Sequence, residues 1–170
     1  MLGQGATDDG QGMPSLGQAA ARVRVRPVTE DEAFLLGALH LQGLHRAGVD
    51  TASGPSHVQE FAAQWAGRTT DLPAWVAECD GQHVGMAICQ VPMLPRVGRV
   101  GPELVVLEAL GELPAEAVAL VLVRAVVTWF GREGFYAVDV APEVDVPPAV
   151  LDAARADIVQ GRRVSLPTRP

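Results

Sequence analysis

The stretch that decides the fold is Ala115-Glu116-Ala117-Val118-Ala119-Leu120-Val121-Leu122-Val123-Arg124-Ala125-Val126-Val127-Thr128-Trp129-Phe130, followed by Gly131-Arg132-Glu133-Gly134-Phe135. It reads as one long apolar helix from 115 to about 133. Gly134 ends it by supplying a left-handed C-cap. The next residues, 135–140, read as a strand. The helix has almost no polar face, so either it is buried on both sides or one side binds a second copy of the chain. At 14 residues, broken by Arg124, the run 117–130 is too short to span a bilayer, which takes roughly 20 apolar residues.

Upstream of this helix the pattern is strand-rich. Residues 103–110 read as a strand, entered through a turn at 98–102. Residues 74–79 and 84–91 read as a hairpin around Asp80-Gly81, a strong turn signal, and Pro92 and Pro95 close its second strand. Earlier still, Thr29-Glu30-Asp31-Glu32 forms a capping box that opens a helix to about Arg46. Ser56-x-x-Gln59 is a second such box, opening a helix that ends near Gly67. Gly48 and residues 50–55 make the loop between them. Val23, Val25 and Pro27 alternate with Arg22, Arg24 and Arg26, as in a half-buried edge strand with a solvated basic face. Downstream, 147 to about 160 reads as a weaker helix with Pro148 in its first turn, and the tail from 164 could add one short strand.

The order is β-α-α-β-β-β-α-β-α. It predicts an α/β (α+β) domain: a mixed, mostly antiparallel twisted sheet with helices on both faces. The domain is expected over 22–170. Residues 1–21, rich in Gly, Gln, Asp and Ser, are expected to be a flexible arm.

Composition narrows the function classes. Hydrophobic residues make up 48% and charged residues 19%, which fits a chain with a real core rather than a disordered polymer. The net charge of -7 argues against nucleic acid as a partner. All thirteen basic residues are Arg, so chemistry that needs a Schiff-base or phosphate-loop lysine is excluded. No signal peptide is legible and no membrane partner is expected, so the expected location is the cytoplasm. Cys79 and Cys89 lack a C-x-x-C neighbour. With Cys79 paired to Gln82 across the hairpin, strict alternation puts the cysteines on opposite sides of the sheet. His40 and His45 lie five apart, roughly 140° around a helix, and do not converge on a metal; no metal site is expected.

With this element order in place, the chain resembles the GNAT acyltransferase superfamily from Arg22 to about Gln160. The segment Ala119 to Arg124, ending in Arg132-Glu133-Gly134-Phe135, looks like that family's cofactor helix leading into its fifth strand. Val25-Arg26-Pro27-Val28-Thr29-Glu30-Asp31 looks like its first strand and helix start. The resemblance implies an acyl-CoA-dependent N-acyltransferase: acetyl-CoA as donor, and a small-molecule amine or protein amine as acceptor. In that family bare backbone amides at a helix N-terminus hold the donor's pyrophosphate, within a loop reading Gln or Arg, two residues, Gly, one residue, Gly or Ala.

Carried onto this chain, the cofactor-binding residues would be Ala115, Glu116, Ala117, Val118 and Ala119. Only Ala119 keeps the family's pattern. Pro114 replaces the polar residue, Ala117 the first glycine, and Glu116 puts a carboxylate where phosphate oxygens would sit. A like-charge pair at about 5 Å costs roughly 3 kcal/mol at an effective dielectric near 20. A loop opening at Gly111-Glu112 is the alternative register, with the same kind of carboxylate.

The family's chemistry also needs a base for the acceptor ammonium and an amide for the thioester oxygen. Some relatives place a glutamate on the fourth strand, eleven residues before the loop; Glu103 holds that position if Pro114 marks the loop. Glu108 lies on the same strand with opposite parity, so alternation would put it on the other face. Tyr136, the chain's one tyrosine, precedes the fifth strand and is expected to pack, leaving no tyrosine on the last helix to serve as acid. His45 and His57 flank the 48–55 loop, which in this fold borders the acceptor groove. A GNAT-fold binding module that does not use acetyl-CoA is the competing reading, favoured by the missing glycines and tyrosine.

Overall fold

A computed structural model of the protein describes residues 16–50, 54–68, 71–91, 101–159 and 163–168. The turn expected at 98–102 lies mostly outside those residues, as do Pro92, Pro95 and positions 1–15 of the expected arm. Along the chain the elements are α1 (Leu16–Ala21), β1 (Arg24–Pro27), a 3-10 turn (Glu30–Glu32), α2 (Ala33–Arg46), α3 (Gly54–Ala66), β2 (Ala74–Cys79), β3 (Gln82–Gln90), β4 (Glu103–Ala109), α4 (Ala115–Arg132), β5 (Ala137–Val140), α5 (Pro148–Ala153), β6 (Asp157–Val159) and β7 (Arg163–Pro167). The described strands form one sheet in the order β1-β2-β3-β4-β5-β7-β6. Every pairing is antiparallel except β4 with β5.

The sheet separates two apolar layers. Trp75, Ala77 and Cys79 of β2 pack towards α4, with Ala87, Cys89 and Leu104. Ala74 and Val76 pack towards α2 and α3, with Met86 and Ile88. Central strands buried on both faces read as continuous apolar runs, which is how β2 and β3 look in the sequence. Helix α4 is buried on more than its sheet side, because α1 and α5 also pack on it. Ala19 of α1 is fully buried. The expected arm is therefore corrected at 16–21, which form a docked helix.

Local chemistry explains most boundaries. Glu32 accepts the Thr29 amide at 2.8 Å, the expected back-reaching half of the capping box. Arg26 adds a two-pronged grip on Glu32 at 2.6 and 2.8 Å and also reaches Glu78 at 2.8 Å. The Arg26 guanidinium, with the Thr29 amide, holds the Glu32 carboxyl down at about 2. The basic face of β1 is thus an ion-paired sheet edge. Gly134 adopts φ +90° and Phe135 donates back to the Phe130 carbonyl at 3.0 Å, so α4 stops where its glycine predicts.

Elsewhere the structure departs from the pattern. Helix α3 begins at Gly54, so Ser56 lies inside its first turn rather than capping it. The expected helix to about 160 ends at Ala153. Arg155 there takes φ +53° and Ala156 donates back to Leu151, a left-handed stop made without glycine. The tail then forms two strands, with β7 inserted between β5 and β6. Tyr136 precedes β5 and is 76% exposed, so it stays outside the core rather than packing into it.

Two β-bulges change which face side chains take. On β3 the register runs Ala77↔Gly85 and then Glu78↔His83, leaving Val84 as the extra residue. Cys79 and Cys89 consequently share the α4 face, contrary to simple alternation. Both are free thiols, because they lie about 20 Å apart along the strand. Among the described residues no helix is long and apolar enough to cross a membrane.

Candidate active site

The second bulge shapes the site. β3 pairs Ile88↔Val106 and Cys89↔Leu104, so Val105 is the extra residue on β4. Val105 and Val106 both pack on the α2 and α3 layer, while Leu104 and Leu107 face α4. The five-residue step from Glu103 to Glu108 thereby becomes even. Both carboxylates project to the α2 face, correcting the expectation that they face opposite sides. A bulge also bends and twists its strand. β4 pairs with β5 only at Glu103↔Asp139 and Leu104↔Val140, and the Ala141 amide closes the contact on the Leu104 carbonyl at 3.0 Å. From Val105 to Ala109 the β5-side edge of β4 has no strand partner among the described residues.

Glu103 therefore sits at the closed end of this parting, flanked by Gln90 and Asp139. Glu108 sits on its open run. The Glu108 carboxyl fills the space that a side chain at Gly43 of α2 would take: a Cβ there would collide with the carboxyl itself. Glu108 is half-buried, and burial pushes its carboxyl above the ordinary carboxylate range. One turn on from Gly43, Arg46 donates to the Ala109 carbonyl at 2.7 Å and the Gly111 carbonyl at 3.2 Å. It ties the end of α2 to the chain leaving β4. Gly43 and Arg46 were missed in the sequence. The signal for Gly43 was there: a mid-helix glycine costs about 1 kcal/mol against alanine, so it marks a close approach.

After β4 the chain turns at Gly111, φ +78°, and enters α4 through Pro114. The amides of Ala117 and Val118 both turn back to the Pro114 carbonyl, at 2.9 and 3.3 Å. The amides of Ala115 and Glu116 have no backbone acceptor among the described residues. Ala115 and Glu116 are exposed, whereas Ala117, Val118 and Ala119 face the core. The five expected cofactor residues thus divide: the first two offer donors to a ligand, and the last three pack α4 onto the sheet. An anion at this helix end is favoured by two free N–H groups and the helix dipole and opposed by the Glu116 carboxylate. A pyrophosphate fits the backbone here, with fewer donors than a glycine loop supplies. Beside the loop, a cavity of about 780 Å³ is bounded by Arg22 ahead of β1, Asp80 and His83 of the β2–β3 hairpin, Gln42 of α2, and Glu112 and Pro114.

His40 and His57 fall outside this arrangement. His40 Nδ1 lies 3.0 Å from His57 Nε2, joining α2 to α3, with Phe61 beside both rings. Burial, and then the neighbouring His57, lower the His40 pKa. Among the described residues no group of three or more His, Cys, Asp or Glu could hold a metal ion.

No protein-family model matches the sequence, and no curated protein does. Solved structures do. A probable acetyltransferase superposes with a TM-score of 0.63 at 15% identity, over 81% of this chain and 91% of that one. An aminoglycoside acetyltransferase from an uncultured soil metagenomic sample, in complex with sisomicin, gives 0.59 at 17%, over 79% and 86%. A predicted acetyltransferase from Clostridium acetobutylicum, with acetyl-CoA, gives 0.55 at 14%, over 81% and 92%. The chain shares the GNAT fold with these structures.

Proposed function

We propose that the protein is an N-acyltransferase that takes an acetyl group from acetyl-CoA and passes it to an amine of a small molecule. The observation that carries this reading is the half-buried Glu108 carboxyl on the run of β4 whose β5-side edge has no strand partner among the described residues. Acetyl-CoA supplies the activated acyl group. The chain's own residues do the rest. Glu108 accepts a proton from the acceptor ammonium so that the neutral amine can attack. Its raised affinity for protons brings it closer to that task than an exposed carboxylate. An amide on the free edge of β4 holds the acyl oxygen. The amides of Ala115 and Glu116 hold the pyrophosphate end. Glu103, at the closed end of the parting, holds the strands rather than the substrate. The small-amine acceptor is supported by the aminoglycoside acetyltransferase among the structural neighbours.

The test is release of free thiol from acetyl-CoA with a panel of aminoglycosides and simpler primary amines. Wild type should turn over at least one amine. Glu108→Gln should lower kcat by about 10²–10⁴-fold, the usual contribution of a general base, with acetyl-CoA binding retained. Activity unchanged in Glu108→Gln removes that residue from the reaction. Absence of acetyl-CoA binding leaves a GNAT-fold binding module.

A further inference from the structure

The two halves of α3 are held differently. The C-terminal half buries Ala62 and Trp65 in the apolar layer with Ala74 and Val76. The N-terminal half meets α2. A Cβ at Gly37 would lie 3.1 Å from the Val58 carbonyl oxygen, and one at Gly54 would lie 3.2 Å from Leu41 Cδ2. Across this seam His40 Nδ1 and His57 Nε2 stand 3.0 Å apart. The ring centroids are 5.2 Å apart and the planes differ by 21°. That separation exceeds the N···N distance by about a ring's breadth, so the two nitrogens point at each other.

Such a contact needs one nitrogen to donate and the other to accept. Two neutral rings meet the condition. A pair with one added proton meets it too, as a charge-assisted bond. With two added protons both nitrogens carry hydrogen, the acceptor is gone, and two cations are in contact. The other charged or titratable groups around the seam are His45, Arg46 and Glu60 on the helices, Asp50 in the loop between them, and Glu30, Asp31 and Glu32 in the 3-10 turn. The sheet adds His83 on β3, and Glu103 and Glu108 on β4. Burial and then His57 are what lower His40, so the pair titrates chiefly against itself. A histidine lowered from its ordinary 6.5 gives stability that is complete above 6.5 and is lost as pH falls through the lowered value. Glu108, raised by burial, acts with the opposite sign over the same range.

We propose that the His40–His57 pair is an acid-sensitive latch, which holds residues 54–61 of α3 on α2 and releases them when both rings are protonated. The latch is independent of the transferase reading.

The amides of residues 58–61 close the first turn of α3 and report its opening in hydrogen exchange. After correction for the intrinsic pH dependence of exchange, their protection should fall by about tenfold or more between about pH 7.5 and 5, with α4 unchanged. His57→Gln leaves His40 a neutral partner and should hold the fall below about twofold. In that variant the His40 ring, followed by NMR, should titrate closer to 6.5, because the neighbouring charge is gone. His40→Gln should flatten the fall in the same way, and it carries the test if His57→Gln fails to fold. Unchanged protection of residues 58–61 in wild type, an equal fall in α4, the same fall in the folded variants, or an unmoved His40 titration in His57→Gln would each overturn the latch.

Discussion

Under the proposed function, Glu108 is a position that serves the reaction and opposes stability. Burial against α2, in the gap left by Gly43, raises its pKa. A carboxyl whose folded pKa lies above its ordinary value of 4.5 holds its proton more tightly when folded. Its contribution to stability is present below the unfolded pKa and is lost as pH rises through the folded one. At neutral pH the ionised Glu108 is a net cost. Glu108→Gln should therefore stabilise the protein near pH 7, read as a higher melting temperature. The same change should flatten the decline in stability above pH 4.5, seen by thermal unfolding across pH. Activity runs the other way: wild-type kcat/KM should fall as pH drops through the raised pKa, because a protonated Glu108 accepts nothing. Loss of stability in Glu108→Gln would mean that the carboxyl is held by partners rather than stranded. Gly43→Ala tests the same packing from α2, and should cost activity by pushing the carboxyl aside.

At the scale of elements, what the sequence disclosed was set by whether a local residue carried the signal. The β2–β3 hairpin was legible because Asp80 and Gly81 both take positive φ, as their types predict. The end of α4 was legible through Gly134, and its burial through an apolar run with no polar stripe. The bulges at Val84 and Val105 were not legible. Each extra residue is a valine, a good strand former that leaves the apolar pattern unbroken. The whole error over the Glu103 and Glu108 faces, and over the two cysteines, follows from them. The end of α5 was hidden for the same reason: Arg155 holds a left-handed conformation that a glycine would have announced. That conformation disfavours a side chain by about 1–2 kcal/mol, while glycine's extra freedom when unfolded takes back part of the gain. Arg155→Gly should therefore stabilise the protein by about 0.5 kcal/mol, read as a higher urea midpoint at unchanged slope. A lower midpoint would mean that the Arg155 side chain contributes contacts worth more than the backbone relief.

Over the whole molecule, one face of the sheet meets α4 and the other meets α2 and α3, and the β4 parting opens between them. The fold supplies the gap through a backbone device, the Val105 bulge, and needs no particular side chain to do so. Donor affinity is set separately, at the α4 N-terminus, and there the chain is sparing: Pro114 has no N–H and Ala117 is turned inward, leaving two free amides beside the Glu116 carboxylate. Under the proposed function, weak acetyl-CoA affinity is the expected consequence. Acetyl-CoA at a hundred times its Kd should stabilise the protein by about 2.7 kcal/mol, with the required concentration in the high micromolar to millimolar range. Glu116→Gln keeps the helix and removes the like charge, so acetyl-CoA should bind about tenfold more tightly. Because the opposing charges are exposed, the gain should shrink as salt rises from about 0.05 to 0.5 M, where screening shortens to about 4 Å. An equal affinity in wild type and Glu116→Gln at low salt would place the pyrophosphate away from this helix end. The cavity between the β2–β3 hairpin and the Glu112–Pro114 turn would then be the place to look for it.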